Sequence, residues 1–565
     1  MPEHLRIGLL CDDRPPQWWE AECVRQVLAV PGVQLCVVAV RNGSVRVREP
    51  WFVRLSRYPW RLALFLHFRR RMRVPANEPD AWPEAVKDAV VLRFTPVRDG
   101  HAERIADADL ARLQEHRPDV LLRFGSGILK GPILQLPRHG VWGMHHGDPT
   151  LYRGQPPGFW ELHDGQRVIG AVLQRLTEHP DSGAALYSGW FAADPSSLKN
   201  TLQTVLSGST GWMAAICRRL VVGDTAAAVG SPIITHAPVR HYPDNRAFLR
   251  FLSRTRSAVA ISAEQRERSE WNLGIIYQPI SALLEERPSL NPRWLPPPSP
   301  GSSRSTPFGY VMDGQLNMLY TKRDRVSGTS EIARLRPKRD NVLKRSRTML
   351  QGDGGAAHPF VLVHGGKTWV VVERPGTGRT ELHILNASND ALEFHSTLVD
   401  APLRSPTLFT HAGRWWLLGT CGPGADHDLY IYHADDLPGP YRPHALMPAL
   451  TDARNARPAG TPFLHQGVLY RPVSDRTTPD GQVAIVRVDA LTPTTFRQTR
   501  VKVFKAIKGS PWSGGLGSIS AVDGMTLVEG SRGRALTSAQ QRGQGHKGNV
   551  RTDDRSIERD DEDEA

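Results

Sequence analysis

A loose repeat of about fifty residues occupies the second half of the chain and restricts the folds open to it. Each copy has a proline, a short apolar strand, a glycine-containing turn and a second apolar strand. Four copies begin at Pro307, Pro359, Pro406 and Pro462, at spacings of 52, 47 and 56 residues. β-Hairpins repeated at this period are typical of propeller blades. With a weaker copy at 517–530, the repeat predicts an all-β, five-bladed propeller.

The first half of the chain has a different pattern. A short apolar strand at 6–10 is followed by a helical stretch and a second apolar run at 33–40. Strand, helix and strand at this spacing predict a βαβ unit and a parallel, Rossmann-like α/β domain. The turn after the first strand reads Cys-Asp-Asp-Arg instead of carrying the GxGxxG glycines, which disfavours a nicotinamide-dependent enzyme.

The composition changes at three places and divides the chain into four segments. We predict an α/β domain at 1–235, a helical and Pro/Ser-rich linker at 236–304, and the propeller at 305–533. The last segment, 534–565, is polar and ends in an acidic run, so it is expected to be disordered.

Charge and cysteine usage exclude several classes of protein. The net charge is +14, but the arginines are spread along the chain and no nucleic-acid-binding motif accompanies them, so no nucleic-acid partner is expected. A basic cluster between Arg57 and Arg73 predicts an amphipathic helix, packed on the first domain or lying on a membrane surface. Five scattered cysteines, with no apolar run long enough to cross a bilayer, favour a cytoplasmic protein without a metal site.

An ordered set of short motifs lies between residues 118 and 183. His145 stands nine positions before Gly154 and 36 positions before Asp181. The set comprises Pro118-Asp119, the loop Phe124-Gly125-Ser126-Gly127-Ile128-Leu129, Leu136-Pro137, His145, Arg153-Gly154, Gly170-Ala171-Val172 and Asp181-Ser182-Gly183. In order and interval these motifs resemble those of the 10-formyltetrahydrofolate-dependent formyltransferases, a family that modifies glycinamide ribonucleotide, methionyl-tRNA and sugar amines.

The resemblance implies a formyltransferase fold and roles for particular residues. An imidazole, here His145, stabilises the oxyanion or relays a proton while the formyl group passes to an amine, and a carboxylate, here Asp181, holds the imidazole. The resemblance further implies 10-formyltetrahydrofolate as cosubstrate and no metal. It assigns the folate pocket to Phe124, Gly125, Gly127, Ile128 and Leu129, and substrate binding to Arg153 and Gly154.

Two departures from the family pattern put the activity in question. The family has an asparagine two residues before the histidine, and this chain has Gly143, which offers no side-chain donor. The family's Ser-Leu-Leu-Pro is replaced by Gly-Asp-Pro-Thr at 147–150. Either His146 or Asp148 compensates as a catalytic residue, or the site binds without catalysing. Asp148 is equally well explained as an Asx-type cap before Pro149.

The repeat region has a resemblance of its own. Its hairpins resemble the propeller segment of plant glucosamine inositolphosphorylceramide transferases. Five-bladed glycosidases hydrolyse sugars with acidic residues around the central channel. Glu373 and Asp475 are candidate carboxylates, but the corresponding strand ends of two other blades carry Tyr320 and Thr420, so hydrolysis is not favoured.

These observations predict formyl transfer from 10-formyltetrahydrofolate to an amine on an amino sugar or sugar nucleotide, with the propeller holding the glycan or mediating assembly. Two alternatives stay open. One is a catalytically decayed formyltransferase-like protein that binds carbohydrate or a partner, and Gly143 favours it. The other is a methionyl-tRNA formyltransferase, although the small basic β-barrel of that family is not evident in the sequence.

Overall fold

A computed structural model describes residues 4–532, except for 43–73, 100–101, 126, 180–182, 267–269, 338–345, 353, 387–389, 425, 479–480, 506 and 508. The basic cluster between Arg57 and Arg73, the predicted disordered tail and Asp181 lie outside the described residues. Within the described residues, no helix is long and apolar enough to cross a membrane. Nor do three or more His, Cys, Asp or Glu side chains of this part of the chain gather where they could hold a metal ion.

The first half of the chain folds as an α/β domain. Its helices are α1 (Trp18–Leu28), α2 (Glu84–Lys87), α3 (Asp107–Glu115), α4 (Phe159–His163), α5 (Leu198–Gly208), α6 (Trp212–Val221) and α7 (Asn245–Arg266). Its strands are β1 (Leu5–Asp12), β2 (Val33–Arg41), β3 (Val91–Phe94), β4 (Val97–Asp99), β5 (Ala102–Arg104), β6 (Val120–Phe124), β7 (Ile128–Leu129), β8 (Val141–His145), β9 (Arg153–Gly154), β10 (Val168–Arg175), β11 (Ala184–Ala192), β12 (Ser231–Pro232) and β13 (Val239–Arg240).

The central sheet of this domain has the order β3-β2-β1-β6-β8-β10-β11. The first five strands are parallel, and β10 runs antiparallel to both of its neighbours. Helices cover both faces, because alternate residues of β1 belong to different cores: Ile7 packs with α1 and α6, and Leu10 packs with α3. The strand order reverses at β1. In such sheets ligands bind beyond the carboxyl ends of the strands, next to the reversal.

The second half of the chain is all β. Its strands are β14 (Trp271–Ile276), β15 (Arg293–Trp294), β16 (Ser302–Met312), β17 (Gln315–Asp324), β18 (Ser330–Leu335), β19 (Arg347–Leu350), β20 (Ala357–His364), β21 (Lys367–Arg374), β22 (Arg379–Asn386), β23 (Ala391–Val399), β24 (Arg404–His411), β25 (Arg414–Thr420), β26 (Asp428–Ala434), β27 (Arg442–Pro443), β28 (Leu450–Asp452), β29 (Phe463–His465), β30 (Val468–Asp475), β31 (Gln482–Leu491), β32 (Phe496–Phe504), β33 (Gly515–Val522) and β34 (Met525–Ser531).

These strands form five antiparallel sheets, which are the blades of a propeller. Blades one, two and four are β16–β19, β20–β23 and β29–β32, and blade three is β24–β26 with β27 and β28 on its outer side. Blade five combines β33 and β34 with β14 and β15. Two of its strands therefore come from 236–304, the segment predicted to be a linker, and the propeller begins before the predicted boundary at residue 305. The closing pairing joins Trp271 to Ser531, a contact too distant in sequence for a local repeat to reveal.

The two halves of the molecule share one sheet. Strand β28 of blade three pairs in parallel with β11, so the α/β sheet continues into the propeller. The Ala453 amide donates to the Trp190 carbonyl at 2.8 Å, and the Tyr187 hydroxyl donates to the Pro448 carbonyl at 3.0 Å. Backbone pairing of this kind leaves little freedom for one half to turn relative to the other.

Candidate functional site

A cavity of about 390 Å³ opens at the carboxyl ends of β6 and β8, beside the start of α1. This is the edge at which an open α/β sheet binds its ligands. The cavity brings together eight of the residues that the sequence predicted to form the site: Phe124, Gly125, Gly127, Ile128, Leu129, His145, His146 and Gly154. Other lining residues are Trp19, Glu20, Arg123, Gly143, Met144, Gln155, Gln174, Leu176, Thr177, His179 and Gly183.

The loop after β6 forms one wall of the cavity. Phe124 is buried against the rings of Trp19 and Trp82, with centroids 5.9 and 6.0 Å away. The Arg123 guanidinium donates to the Gly127 carbonyl at 2.5 Å and anchors the loop. Gly127 has φ +90°, a conformation that favours glycine. At Gly125 and Gly127 the cavity is therefore bordered by backbone, and a ligand can approach it closely.

His145 is the last residue of β8 and faces the cavity. Its Nε2 atom would lie 3.2 Å from a Cβ built on Gly147. The Glu161 Oε1 atom would lie 3.8 Å from the same point. Because residue 147 is a glycine, the space that a Cβ would fill stays empty. The imidazole of His145 and the carboxyl group of Glu161 both border this space.

Glu161 was not among the predicted site residues. It lies in the first turn of α4 and is 4% exposed. Burial, reinforced by the negative charges of Asp148 and Asp164, raises the pKa of its carboxyl group to about 7. A carboxyl group with this pKa can hold or release a proton near neutral pH. An acidic residue in the first turn of a helix is common, so the sequence contained no signal that singled it out.

Gln174 is a second site residue that the sequence analysis missed. It lies on β10 directly across from Gly143 on β8, so both residues project to the same face of the sheet as His145. Its side chain lines the cavity, is 9% exposed, and has an Oε1 atom with no hydrogen-bond partner among the described residues. The carboxamide therefore stands beside the position where the formyltransferase family has asparagine. Only the register of two antiparallel strands reveals this.

His146 is half-buried against the ring of Trp19, edge to face at 4.9 Å between centroids. Its Nε2 atom lies 3.5 Å from the Ser209 hydroxyl oxygen. Burial, together with the nearby His145, lowers the pKa of His146 to about 3. This imidazole is neutral at physiological pH and is packed as part of the cavity wall.

Asp148 does not line the cavity. Its Oδ1 atom accepts from the Thr150 amide at 2.9 Å and from the Thr150 hydroxyl at 2.6 Å. Its Oδ2 atom accepts from the indole of Trp190 at 3.4 Å. These contacts are those of the Asx-type cap, the second of the two alternatives for this residue.

Arg153 and Gly154 form β9, which pairs with β13. Gly154 borders the cavity and has φ +99°, and a Cβ there would lie 2.0 Å from the Arg240 carbonyl oxygen, so no side chain fits. Arg153 is not among the lining residues, and its Nη1 atom donates to the Ala237 carbonyl at 3.4 Å. Asp181 lies outside the described residues, between His179 and Gly183, which both line the cavity.

Comparison with known proteins gives similarity of two kinds. The profile of the family described as glucosamine inositolphosphorylceramide transferase 1, N-terminal, matches residues 298–516. Glucosamine inositolphosphorylceramide transferase 1 of Arabidopsis thaliana is 24% identical over 212 residues, which are 36% of this chain and 28% of the plant protein.

The second kind of similarity is to formyltransferases. A methionyl-tRNA formyltransferase of Halalkalibacterium halodurans is 30% identical over 120 residues, 21% of this chain and 35% of that protein. The bifunctional polymyxin resistance protein ArnA of Wigglesworthia glossinidia brevipalpis is 33% identical over 75 residues, 13% of this chain and 12% of that protein. The chain thus spans about a third or less of the length of these relatives. Formyltransferases and a plant glycolipid transferase are both among its relatives.

Solved structures similar to the chain include a thermostable family-43 glycoside hydrolase, at 12% identity and a TM-score of 0.29, covering 35% of this chain and 76% of the hydrolase. A family 117 glycoside hydrolase of Zobellia galactanivorans matches at 13% identity and a TM-score of 0.29, covering 42% of this chain and 86% of the hydrolase.

Proposed function

We propose that the α/β domain transfers a formyl group from 10-formyltetrahydrofolate to a primary amine. The observation that carries the proposal is the cavity at the end of β8, where the loop after β6, His145 and Gln174, whose Oε1 atom has no partner among the described residues, meet. Similarity to formyltransferases supports the same reaction.

The lining of the cavity fits a folate. Phe124, Ile128 and Leu129 supply apolar surface, and Gly125 and Gly127 present backbone without side chains. When bound there, the folate would supply the formyl group. Gln174 would meet it with a buried carboxamide. Its Oε1 atom has no hydrogen-bond partner among the described residues and favours a ligand that donates to it, and its Nε2 atom can donate a hydrogen bond.

Side chains of the protein would supply the proton transfer and the stabilisation of negative charge that the reaction needs. His145 would take the proton that the attacking amine must lose and return it to the tetrahydrofolate nitrogen that leaves as its bond to the formyl carbon breaks. Gln174 would donate to the carbonyl oxygen, in place of the family's asparagine, and stabilise negative charge on it. Glu161, buried near His145, would hold the imidazole or exchange a proton with it. The second carboxylate, Asp181, keeps its proposed role of orienting His145.

An amino sugar or amino-sugar-containing glycan is the proposed acceptor. The propeller match to a protein named as a glucosamine inositolphosphorylceramide transferase supports a carbohydrate. A charged tRNA is the second candidate because methionyl-tRNA formyltransferases are among the relatives. A decayed, binding-only protein is the third, and Gly143 is what favours it.

Binding and transfer are best tested in sequence on the full-length chain. Calorimetric titration with 5-formyltetrahydrofolate, a stable analogue, should show saturable binding. Transfer from 10-formyltetrahydrofolate would then be assayed by mass spectrometry against glucosamine, nucleotide-linked amino sugars and methionyl-tRNA.

His145→Asn should lower kcat/KM by about 10² to 10⁴ while folate binding changes little. The matched control is His236→Asn, an exposed histidine outside the cavity. Absence of folate binding would overturn the proposal. Binding without transfer to any acceptor would leave the binding-only alternative in its place, and transfer to methionyl-tRNA alone would replace the carbohydrate acceptor.

A further inference from the structure

A second, larger cavity of about 870 Å³ lies at one mouth of the propeller channel, where the innermost strands of the blades begin. We call it the channel mouth. Its lining comes from several blades and is rich in charged and hydroxyl groups, among them Thr306, His358, Glu373, Arg404, Arg457 and Arg476.

The backbone around the channel mouth is strained at equivalent points. Thr306, His358 and Ser405 lie in the first strands of three successive blades, each immediately before a proline, with φ of +49°, +50° and +51°. The ladder register shifts at each of these points. Left-handed backbone is unfavourable at residues other than glycine and clusters at functional sites. All three residues line the channel mouth, to which they contribute two hydroxyl groups and one imidazole.

The carboxylates of the channel mouth are used to hold neighbouring blades together. Glu529 of blade five accepts a hydrogen bond from the Thr306 amide of blade one. Glu373 of blade two accepts from the Ser405 amide of blade three at 2.9 Å. Between blades one and two, the Thr321 hydroxyl has the same role, because it accepts from the His358 amide at 2.9 Å. Both glutamates thus satisfy the amides of strained residues.

The arginines of the channel mouth outnumber the carboxylates left to pair with them. Arg457 and Arg476 share one partner, Asp426, at 3.5 and 3.0 Å. Arg404 forms no hydrogen bond or ion pair through its side chain with any other described residue, and its guanidinium is exposed at the rim. Arg457 donates to the Ser405 hydroxyl at 3.0 Å, which fixes its guanidinium in place. An excess of guanidinium groups over carboxylates suits a phosphate or carboxylate ligand.

His358 supplies an independent sign that a ligand binds here. Its side chain lines the channel mouth and is 2% exposed, yet neither ring nitrogen has a hydrogen-bond partner among the described residues. Burial lowers the pKa of this imidazole to about 3, so it is neutral and offers one donor and one acceptor. A sugar hydroxyl can use either one, whereas a bare anion can use only the donor.

We propose that the channel mouth binds an anionic carbohydrate, with Arg404, Arg457 and Arg476 contacting its phosphate or carboxylate and His358 hydrogen-bonding a hydroxyl. The site is separate from the cavity of the α/β domain and does not depend on formyl transfer. It borders that domain, because His427, the neighbour of Asp426, packs on Phe191 with ring centroids 4.7 Å apart.

The test is calorimetric titration of the full-length protein with four probes: glucose 6-phosphate, glucuronic acid, glucose and inorganic phosphate. At least one of the two anionic sugars should bind at least tenfold more tightly than glucose and than inorganic phosphate. Which of the two binds more tightly identifies the anionic group as phosphate or carboxylate. The affinity should fall as salt is raised.

Arg404→Gln should weaken the anionic sugar at least tenfold. Arg497→Gln, on the outer strand at the opposite end of blade four, should leave it unchanged. His358→Asn should weaken the sugar but not inorganic phosphate; if it fails to fold, the exposed Arg404 variant still decides. Equal affinity for glucose, equal affinity for inorganic phosphate, or no binding of any probe up to about 10 mM would each overturn the proposal.

Discussion

The two cavities of this molecule are built in opposite ways. The cavity of the α/β domain takes most of its lining from one stretch, residues 123–183, because consecutive strands end at the same edge of the sheet. The channel mouth draws residues from 271 to 529, and each blade contributes a few. A site encoded in one stretch carries an ordered motif that a sequence can show. A site assembled by a ring of blades does not, so its chemistry becomes visible only in three dimensions.

Besides His145→Asn, the largest effect on activity is expected from a substitution that tests whether the α/β cavity is complete despite Gly143. Gln174→Leu should lower kcat/KM for formyl transfer by about 10² to 10³, because it removes a donor to the developing oxyanion. Binding of 5-formyltetrahydrofolate should weaken far less. Gln135→Leu, an exposed glutamine, is the matched control. An unchanged rate in the Gln174 variant would remove that residue from the site.

Protonation of Glu161 should make the free energy of unfolding depend on pH. Its pKa rises from 4.5 to about 7 on folding, so between these values the native state binds more protons than the unfolded state. Stability therefore falls as pH rises from about 4.5 to 7, by at most ~1.4 kcal/mol per pH unit. Urea unfolding of Glu161→Gln should show a smaller decrease over this range than the wild type. Parallel pH profiles would show that Glu161 is not buried as described.

Gly154 tests how closely the backbone of the α/β cavity is constrained. Gly154→Ala should lower the free energy of unfolding by roughly 1–3 kcal/mol, because φ is +99° and the new Cβ would meet the Arg240 carbonyl oxygen. Gly314→Ala, also at positive φ but with nothing within 4 Å of its Cβ, is the control that separates backbone strain from the clash. Thermal unfolding of both variants measures the difference. Equal losses would mean that the clash relaxes.

The smallest effect on activity is expected when the family's asparagine is placed at position 143. This substitution tests directly whether Gln174 takes the place of that asparagine. A Cβ on Gly143 would lie 3.4 Å from Leu176 Cδ2, an ordinary contact, so the backbone at this position accepts a side chain without a clash at Cβ. In a Gln174→Ala background, Gly143→Asn should restore kcat/KM by about tenfold, since it returns one of the donors whose loss costs 10² to 10³. The double variant and the Gln174→Ala parent would be assayed side by side. No recovery would argue that the two positions do not serve one function.

The sequence allowed those features to be predicted that depend on residues close together in the chain. The strand, helix and strand at the start, the hairpin repeat, and the gathering of the loop at 124–129 with His145 all follow from patterns that the chain shows locally. Their catalytic and binding roles stay predictions. Gln174 and Glu161 were missed because one is defined by cross-strand register and the other by burial.

The start of the propeller was predicted too late in the chain because it depends on a pairing between strands that are far apart in the sequence. Strand β14 lies within the predicted linker, yet it pairs with β34 more than 250 residues later. No periodic pattern identifies the partner of a strand at that distance. Likewise, Glu373 was considered as a hydrolytic carboxylate from its strand position, but the structure shows it bound to the Ser405 amide, a contact made only when two blades meet.

The pairing of β28 with β11 has a consequence for how this protein can be divided. Gly189 and Trp190 of β11 lie opposite Thr451 and Asp452. If the halves were expressed separately, part of β11 and the outer side of blade three would become open edges. Edges with unpaired amides and carbonyls recruit strands from other chains. Separated halves are therefore expected to self-associate, and the gene would be under pressure to keep both parts in one reading frame.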